Sequence, residues 1–404
     1  MSIRILRMLE CWVGTRSVLD ALSISNVENI EQSSGGCSMA EIVNRPSYEK
    51  VESKVEIMDT PYDRWIASQG IDIIRGFFVE DLYTIPLKKW DRVGGEGVCI
   101  MLDGAGYMDD AYVTGIPPGK SLNPQRHIYE ELVYVLSGRG ATTVWQDGHG
   151  KQTFEWQAGS LFAVPLNAWY QHFNGQGDKE TRLLSVTTAP LVFNLFRNPE
   201  FVTNCPFSFS ERFKGEDGFF GGGGKLYSDR VVETNFVADV INIEPVEWAE
   251  RGKGNATIFF EMSESMMGSH VSRFPVGIYK KAHRHGPGAH VFILTGQGYS
   301  LLWPEGKEMT RVDWKPGSIV VPPEGWFHQH FNSGAEPSRY LALKILSRKY
   351  KLQPGKIQSD VPLAYGGWQI EYEDEDPIIR ETFEAECAKS GAPVKMAPVV
   401  RQAN

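Results

Sequence analysis

One frame is written twice in this chain, and that repeat constrains the fold more than any other feature. Gly119 is followed by Gln125-Arg126-His127, Glu131 and a Leu-Val-Tyr-Val-Leu run ending in Ser137-Gly138-Arg139-Gly140. Gly277 is followed by His283-Arg284-His285, Ala289 and a Val-Phe-Ile-Leu run ending in Thr295-Gly296-Gln297-Gly298. Gln125 and His283 stand 158 residues apart. The same offset carries Gly159-Ser-Leu-Phe-Ala-Val-Pro165 and Gln171-His172-Phe173-Asn174 onto Gly317-Ser-Ile-Val-Val-Pro-Pro323 and Gln329-His330-Phe331-Asn332. Two separated windows that keep one offset without a gap imply a duplicated domain. At 404 residues the chain is long enough to bury a core in each copy.

Within each copy the apolar runs are short, β-branched and aromatic, and Gly, Pro and Asn interrupt them at short intervals. That pattern predicts an all-β chain of two tandem antiparallel sandwiches or barrels. The first spans 59–200 and the second 231–352. Residues 1–58 form an N-terminal extension, with Met39 an alternative start. Between the copies, 201–230 reads as a linker: the stretch from Asn198 to Lys225 holds Asn-Pro, Cys-Pro and the run Gly221 to Gly224, a composition that disfavours any regular element. The tail, 353–404, carries one helix at about 377–390. Asp376 suits its N-cap, Pro377 its first turn and Gly391 its C-terminal end, while Ile379, Phe383 and Cys387 share a face.

Six of the nine histidines fall in the second copy, and five of them stand between 283 and 330: His283, His285, His290, His328 and His330. Residues two apart on a strand point to one side, so His283 and His285 present two imidazoles together, and a neighbouring strand brings His328 to them. Three neutral imidazoles suit iron, zinc, copper or nickel. By the same parity His330 faces inward, as an acid–base group or a packed residue, and His290 faces away. Tyr279 shares the parity of His283 if no bulge intervenes and then lines the pocket. Trp303, Trp326 and Phe327 are candidates for an aromatic wall against a substrate ring, with plain barrel core the alternative. Arg273 and Arg284 are left without a role.

The spacing Gly317-x5-Pro323-x-Gly325-x2-His328-x3-Asn332, with Gly277-x5-His283-x-His285 before it, resembles the two signature motifs of the cupin superfamily. The resemblance covers about residues 75–350 and implies a bicupin, two double-stranded β-helix (jelly-roll) barrels. The family's usual glutamate ligand falls at Ala289. The first copy keeps that acid as Glu131, with His127, but has Gln125 and Tyr170 where two histidines would stand, so an empty structural barrel is expected there. The run His283-Arg-His-Gly-Pro-Gly-Ala289 and the run Trp326-Phe-His328-Gln-His330-Phe-Asn332 look like those of gentisate 1,2-dioxygenase and its salicylate and hydroxynaphthoate relatives. There three histidines hold Fe(II) and an alanine takes the acid position, although the working iron belongs to the first cupin, whereas here the intact set is in the second.

A fourth, anionic ligand would block a coordination position and weaken the metal as a Lewis acid, so Ala289 reads as room for substrate. The expectation is a non-haem iron dioxygenase that uses O2 on an aromatic hydroxy acid or related enolisable compound, with Fe(II) foremost and Mn, Ni, Zn or Cu open. A cupin decarboxylase, lyase or isomerase, or a non-enzymatic binding or storage bicupin, are the alternatives. A net charge of −9 without a basic tract argues against nucleic acid as a partner. Five scattered cysteines and no long apolar run point to a cytoplasmic chain that does not enter a membrane, with a homo-oligomer expected.

Overall fold

The computed structural model describes residues 59–286, 288–345, 347–349 and 358–399. The expected N-terminal extension and its alternative start at Met39 lie outside the described residues. Two-residue periodicity organises everything else. In the strand Glu131–Ser137, Val133 and Val135 join a core with Val144, Trp156 and Tyr170 of a smaller sheet, while Leu132, Tyr134 and Leu136 point the opposite way. Each copy thus contributes one large sheet and one small one around its own core. The first pairs an eight-stranded sheet with the three strands Arg139–Trp145, Gln152–Gln157 and Trp169–Asn174. In the second, a nine-stranded sheet covers the four strands Ile278–Tyr279, Gly298–Trp303, Thr310–Trp314 and Phe327–Asn332.

The two large sheets pack back to back. Val98, Leu132 and Leu184 of one copy meet Phe260, Phe292 and Leu341 of the other in a single cluster, and Tyr134 and Phe292 approach to 5.2 Å between ring centres. The copies also exchange edge strands. Phe78–Val79, early in the chain, pairs with Ile319–Val320 of the second barrel. Phe236–Val237, early in the second copy, pairs with Leu161–Val164 of the first.

The repeated glycines have a common cause. A Cβ on Gly140 would lie 2.0 Å from the carbonyl oxygen of Phe173, and one on Gly298 would lie 1.9 Å from that of Phe331. Only glycine lets these paired strands approach so closely.

The segment between the copies corrects two expectations. A short helix, Pro199–Asn204, is capped by the Asn198 side chain, so a regular element does form there. The rest of the segment is bound into the first barrel: Phe213 and Phe220 are buried in its core, and Arg212 forms an ion pair with Glu130 at 3.0 Å. At the other end the helix Pro377–Ser390 starts at an Asp376 N-cap and stops at a left-handed Gly391. Its Ile379, Phe383 and Cys387 seal the outer face of the small sheet of the second barrel.

Candidate metal centre

The strand Phe327–Asn332 sends Phe327, Gln329 and Phe331 outward and His328 and His330 inward. His283 reaches it through a single antiparallel bridge to His328, each backbone N–H donating to the other's carbonyl at 3.1 and 2.9 Å. His285 follows on the same side. The ring nitrogens of His283, His285 and His328 include one from each that lie within 4.8 Å of one another. Ring centres are 5.7 Å (His283 to His285), 4.4 Å (His283 to His328) and 4.7 Å (His285 to His328) apart.

Each imidazole also has its Nδ1 against a backbone carbonyl: Lys281 at 3.3 Å, Gly286 at 2.8 Å and Trp326 at 3.3 Å. A proton on Nδ1 donated to that carbonyl leaves the Nε2 lone pair free, the tautomer a metal ligand requires. Burial is the largest cause holding all three rings neutral, aided by Arg251 beside His283 and by His328 beside His285. For His328 the value falls to about 3. Three converging neutral imidazoles with free Nε2 atoms and no carboxylate among them fit a divalent transition metal.

His330 lies 5.8 Å from His328 between ring centres. Trp314 Nε1 donates to Ser300 Oγ at 3.0 Å, and Ser300 Oγ lies 2.8 Å from His330 Nδ1. The first copy repeats the chain of contacts: Trp156 Nε1 donates to Thr142 Oγ1 at 2.8 Å, and Thr142 Oγ1 lies 2.7 Å from His172 Nδ1. A contact chain kept in a copy without the three imidazoles belongs first to the barrel's architecture. Nearby, the Tyr340 ring lies tilted at 5.4 Å from His330 and its hydroxyl accepts a bond from Lys280 Nζ at 3.0 Å. Burial alone would raise the Tyr340 hydroxyl, but Lys280, Ser272 and Arg251 together outweigh this and hold it below its ordinary value.

Three pocket candidates stand elsewhere. Lys280 N donates to the His330 carbonyl and His283 N to the His328 carbonyl, so two residues, Lys281 and Ala282, stand opposite one, Gln329. That bulge breaks the parity linking Tyr279 to His283. Tyr279 instead pairs with Phe331, bonds to Glu375 through its hydroxyl and packs 4.9 Å from Phe383 on the outer face of the sheet. Trp303 pairs with Phe327 on the same outer face, while its neighbour Leu302 stands opposite His328. Trp326 does belong to the interior side: it is half-buried against the second barrel's core and 5.9 Å from Phe77. His290 turns away from the imidazoles into the contact between barrels, its Nδ1 3.8 Å from Asp109 Oδ2.

The first barrel has closed its equivalent position with hydrogen bonds. Tyr170 donates to Glu131 Oε2 at 3.0 Å, His127 Nε2 lies 2.9 Å from the same oxygen, and Tyr112 donates to Oε1 at 2.6 Å. Burial would raise the Glu131 carboxyl, but His127 first, then Ser185 and Tyr112, outweigh it and bring it down to about 2. His127 Nδ1 is taken by the Tyr129 carbonyl at 2.7 Å. Both ring nitrogens of His127 are thereby engaged.

Two cores, each between a large and a small sheet and related by the repeat, define a chain of two tandem β-barrels. Residues 112–187, within the first, match the family model described as Cupin domain. A 78-residue stretch, 19% of this chain, is 32% identical to 5-aminosalicylate 1,2-dioxygenase from Comamonas sp and covers 19% of that protein's length, so the chain spans about a fifth of this relative. Among solved structures, oxalate decarboxylase of Lactobacillus farciminis in a formate complex is 13% identical, with 76% of this chain and 96% of that one covered and a TM-score of 0.47. Oxalate decarboxylase of Bacillus subtilis is 11% identical over 82% of this chain and 90% of that one, also at 0.47. Likeness at that level carries no weight for activity.

Proposed function

We propose that the second barrel is the working site of a non-haem Fe(II) dioxygenase acting on an aromatic hydroxy acid or a related chelating molecule. The observation that carries this reading is the donor set itself: three neutral imidazoles, with Ala289 where a carboxylate would complete the shell. Fe(II) held there supplies a Lewis acid with positions open to a substrate oxygen pair and to O2, together with the electrons O2 chemistry needs.

The protein's own groups then have defined tasks. The Lys281, Gly286 and Trp326 carbonyls fix the three ring orientations. Ala289, buried among apolar side chains, leaves space and no charge on its side of the centre. If Ser300 donates to His330 Nδ1, the ring proton of His330 sits on Nε2, where it serves as a donor to substrate or oxygen; this is its acid–base assignment in the reading. Trp326 is the one aromatic of the expected wall retained for ring contact. The 5-aminosalicylate relative, by its name a dioxygenase of an aromatic hydroxy acid, supports the same class. A small-molecule substrate and O2 are the partners this requires.

Metal analysis of the full chain beside His328→Ala, then anaerobic iron loading and O2-uptake assays with a hydroxybenzoate panel, tests the reading. About one iron per chain in the wild type, lost in the variant, with substrate-dependent O2 consumption is the expected result. Bound metal with turnover but no O2 uptake would move the assignment to a decarboxylase, lyase or isomerase. No metal after loading would remove the centre altogether.

A further inference from the structure

The interior of the second barrel holds a cluster of cations beside its three neutral imidazoles. Arg251, at the end of the short helix Ala249–Arg251, donates through one nitrogen to Asp360 and Ser359, and its buried Nη1 has no hydrogen-bond partner among the described residues. Arg348 follows the strand Ser338–Lys344. Its guanidinium lies 3.7 Å over the Phe259 ring, and its buried Nε has no partner among the described residues. Both guanidinium groups flank one indole, at 5.2 and 5.5 Å from the centre of the Trp248 ring.

Lys344 ends that strand on the face of Tyr340 and Ala342, which belong to the interior core. Its ammonium feels Asp360 as its counter-charge among the described residues, and shares that carboxylate with Arg251. The same groups reach the centre electrostatically: Arg251 and Lys344 both act on His285 and His328. Arg273 and Arg284, by contrast, spend their charge on Glu244 and Glu305.

Counter-charge is scarce. Asp360 is committed to Arg251, and Glu261 has its oxygens on the Ser347 hydroxyl and the Arg348 backbone N–H. Burial and mutual repulsion depress the cations themselves, with Lys344 brought down to about 7 by burial first and then by Arg348 and Arg251. Cations held together at such cost and left with free donors are what an anion-binding site is made of.

We infer that Arg251, Lys344 and Arg348 form a carboxylate subsite, so that the substrate carries a carboxylate beyond the oxygen pair that meets the three histidines. The inference builds on the function proposed above, because it places the rest of the same substrate.

Calorimetric binding to the full chain, as purified and again after chelator treatment, compares salicylate with three salicylates bearing a second carboxylate: 4-hydroxyisophthalate, 2-hydroxyisophthalate and 2-hydroxyterephthalate. At least one dicarboxylate is expected to bind about tenfold tighter than salicylate in both preparations. That advantage disappears in Lys344→Met and returns in Lys344→Arg, and Arg348→Met weakens it independently. Three dicarboxylates binding no tighter than salicylate, or an advantage untouched by Lys344→Met and Arg348→Met, would overturn the subsite. Because the advantage is read without metal, absence of iron or of O2 uptake leaves it standing. O2 uptake without the advantage removes the subsite alone.

Discussion

At the scale of single residues, the two copies have become complementary. The first retains the acid and has lost two imidazoles; the second retains three imidazoles and has lost the acid. Tyr170 occupies the repeat position of His328, and its hydroxyl fills with a hydrogen bond what an ion would fill in the other barrel. Glu131 is therefore a stabilising anion. Its folded-state value lies below its unfolded one, so its contribution is present in full above the ordinary carboxylate range and is lost as pH falls toward about 2. Glu131→Gln is expected to lower stability by about 1–3 kcal/mol at neutral pH and to flatten the loss of stability below about pH 4. Denaturant titrations at stepped pH would check both. In the second barrel, Ala289→Glu restores an acid to the centre. Slower loss of metal to a chelator and O2 uptake reduced by about tenfold or more are expected, the first read by metal analysis and the second by an oxygen electrode.

At the scale of elements, the C-terminal helix acts as a cover for the outer face of the small sheet. Phe383 is fully buried between Tyr279 and Phe331. Phe383→Ala is expected to cost about 3–5 kcal/mol, and Asp376→Ala, which removes the N-cap, about 1 kcal/mol, measured by chemical unfolding. This helix was legible because its caps, its first-turn proline and its buried face are all local signals. The convergence of His283, His285 and His328 was legible for the same reason, since alternate positions on a strand and a constant spacing within the repeat need no long-range knowledge. Tyr279 was misread because parity is only as good as the strand that carries it. A bulge between Lys280 and His283, with no glycine or proline at those positions to announce it, turns the tyrosine out of the pocket. Trp303 failed differently: nothing in its own neighbourhood says which face of the sheet the distant helix will cover. Arg251, Lys344 and Arg348 were missed because Arg251 lies 93 residues before Lys344 and meets the other two only in the fold.

At the scale of the whole molecule, duplication was visible in the constant offset, but the exchange of edge strands was not. Two-residue pairings such as Phe78–Val79 with Ile319–Val320 leave no pattern in composition or spacing. Together with the shared core between the large sheets, they make the barrels one cooperative body. Residues 59–230 and 231–404, produced separately, are expected to be insoluble or poorly folded, whereas the intact chain unfolds in one calorimetric transition; two resolved transitions would count against this. Synthesis runs in one direction, and the exchange is not symmetric in time. The first barrel leaves the ribosome with the edge at Leu161–Val164 bare, and its closing strand, Phe236–Val237, arrives more than seventy residues later. The second barrel finds its closing strand, Phe78–Val79, already made. Throughout that interval the nascent first copy carries an open sheet edge and an uncovered apolar face, the pairing surface by which unfinished β chains aggregate. The stretch of translation between about residue 165 and residue 237 is therefore where this protein most needs a chaperone or an unhurried ribosome.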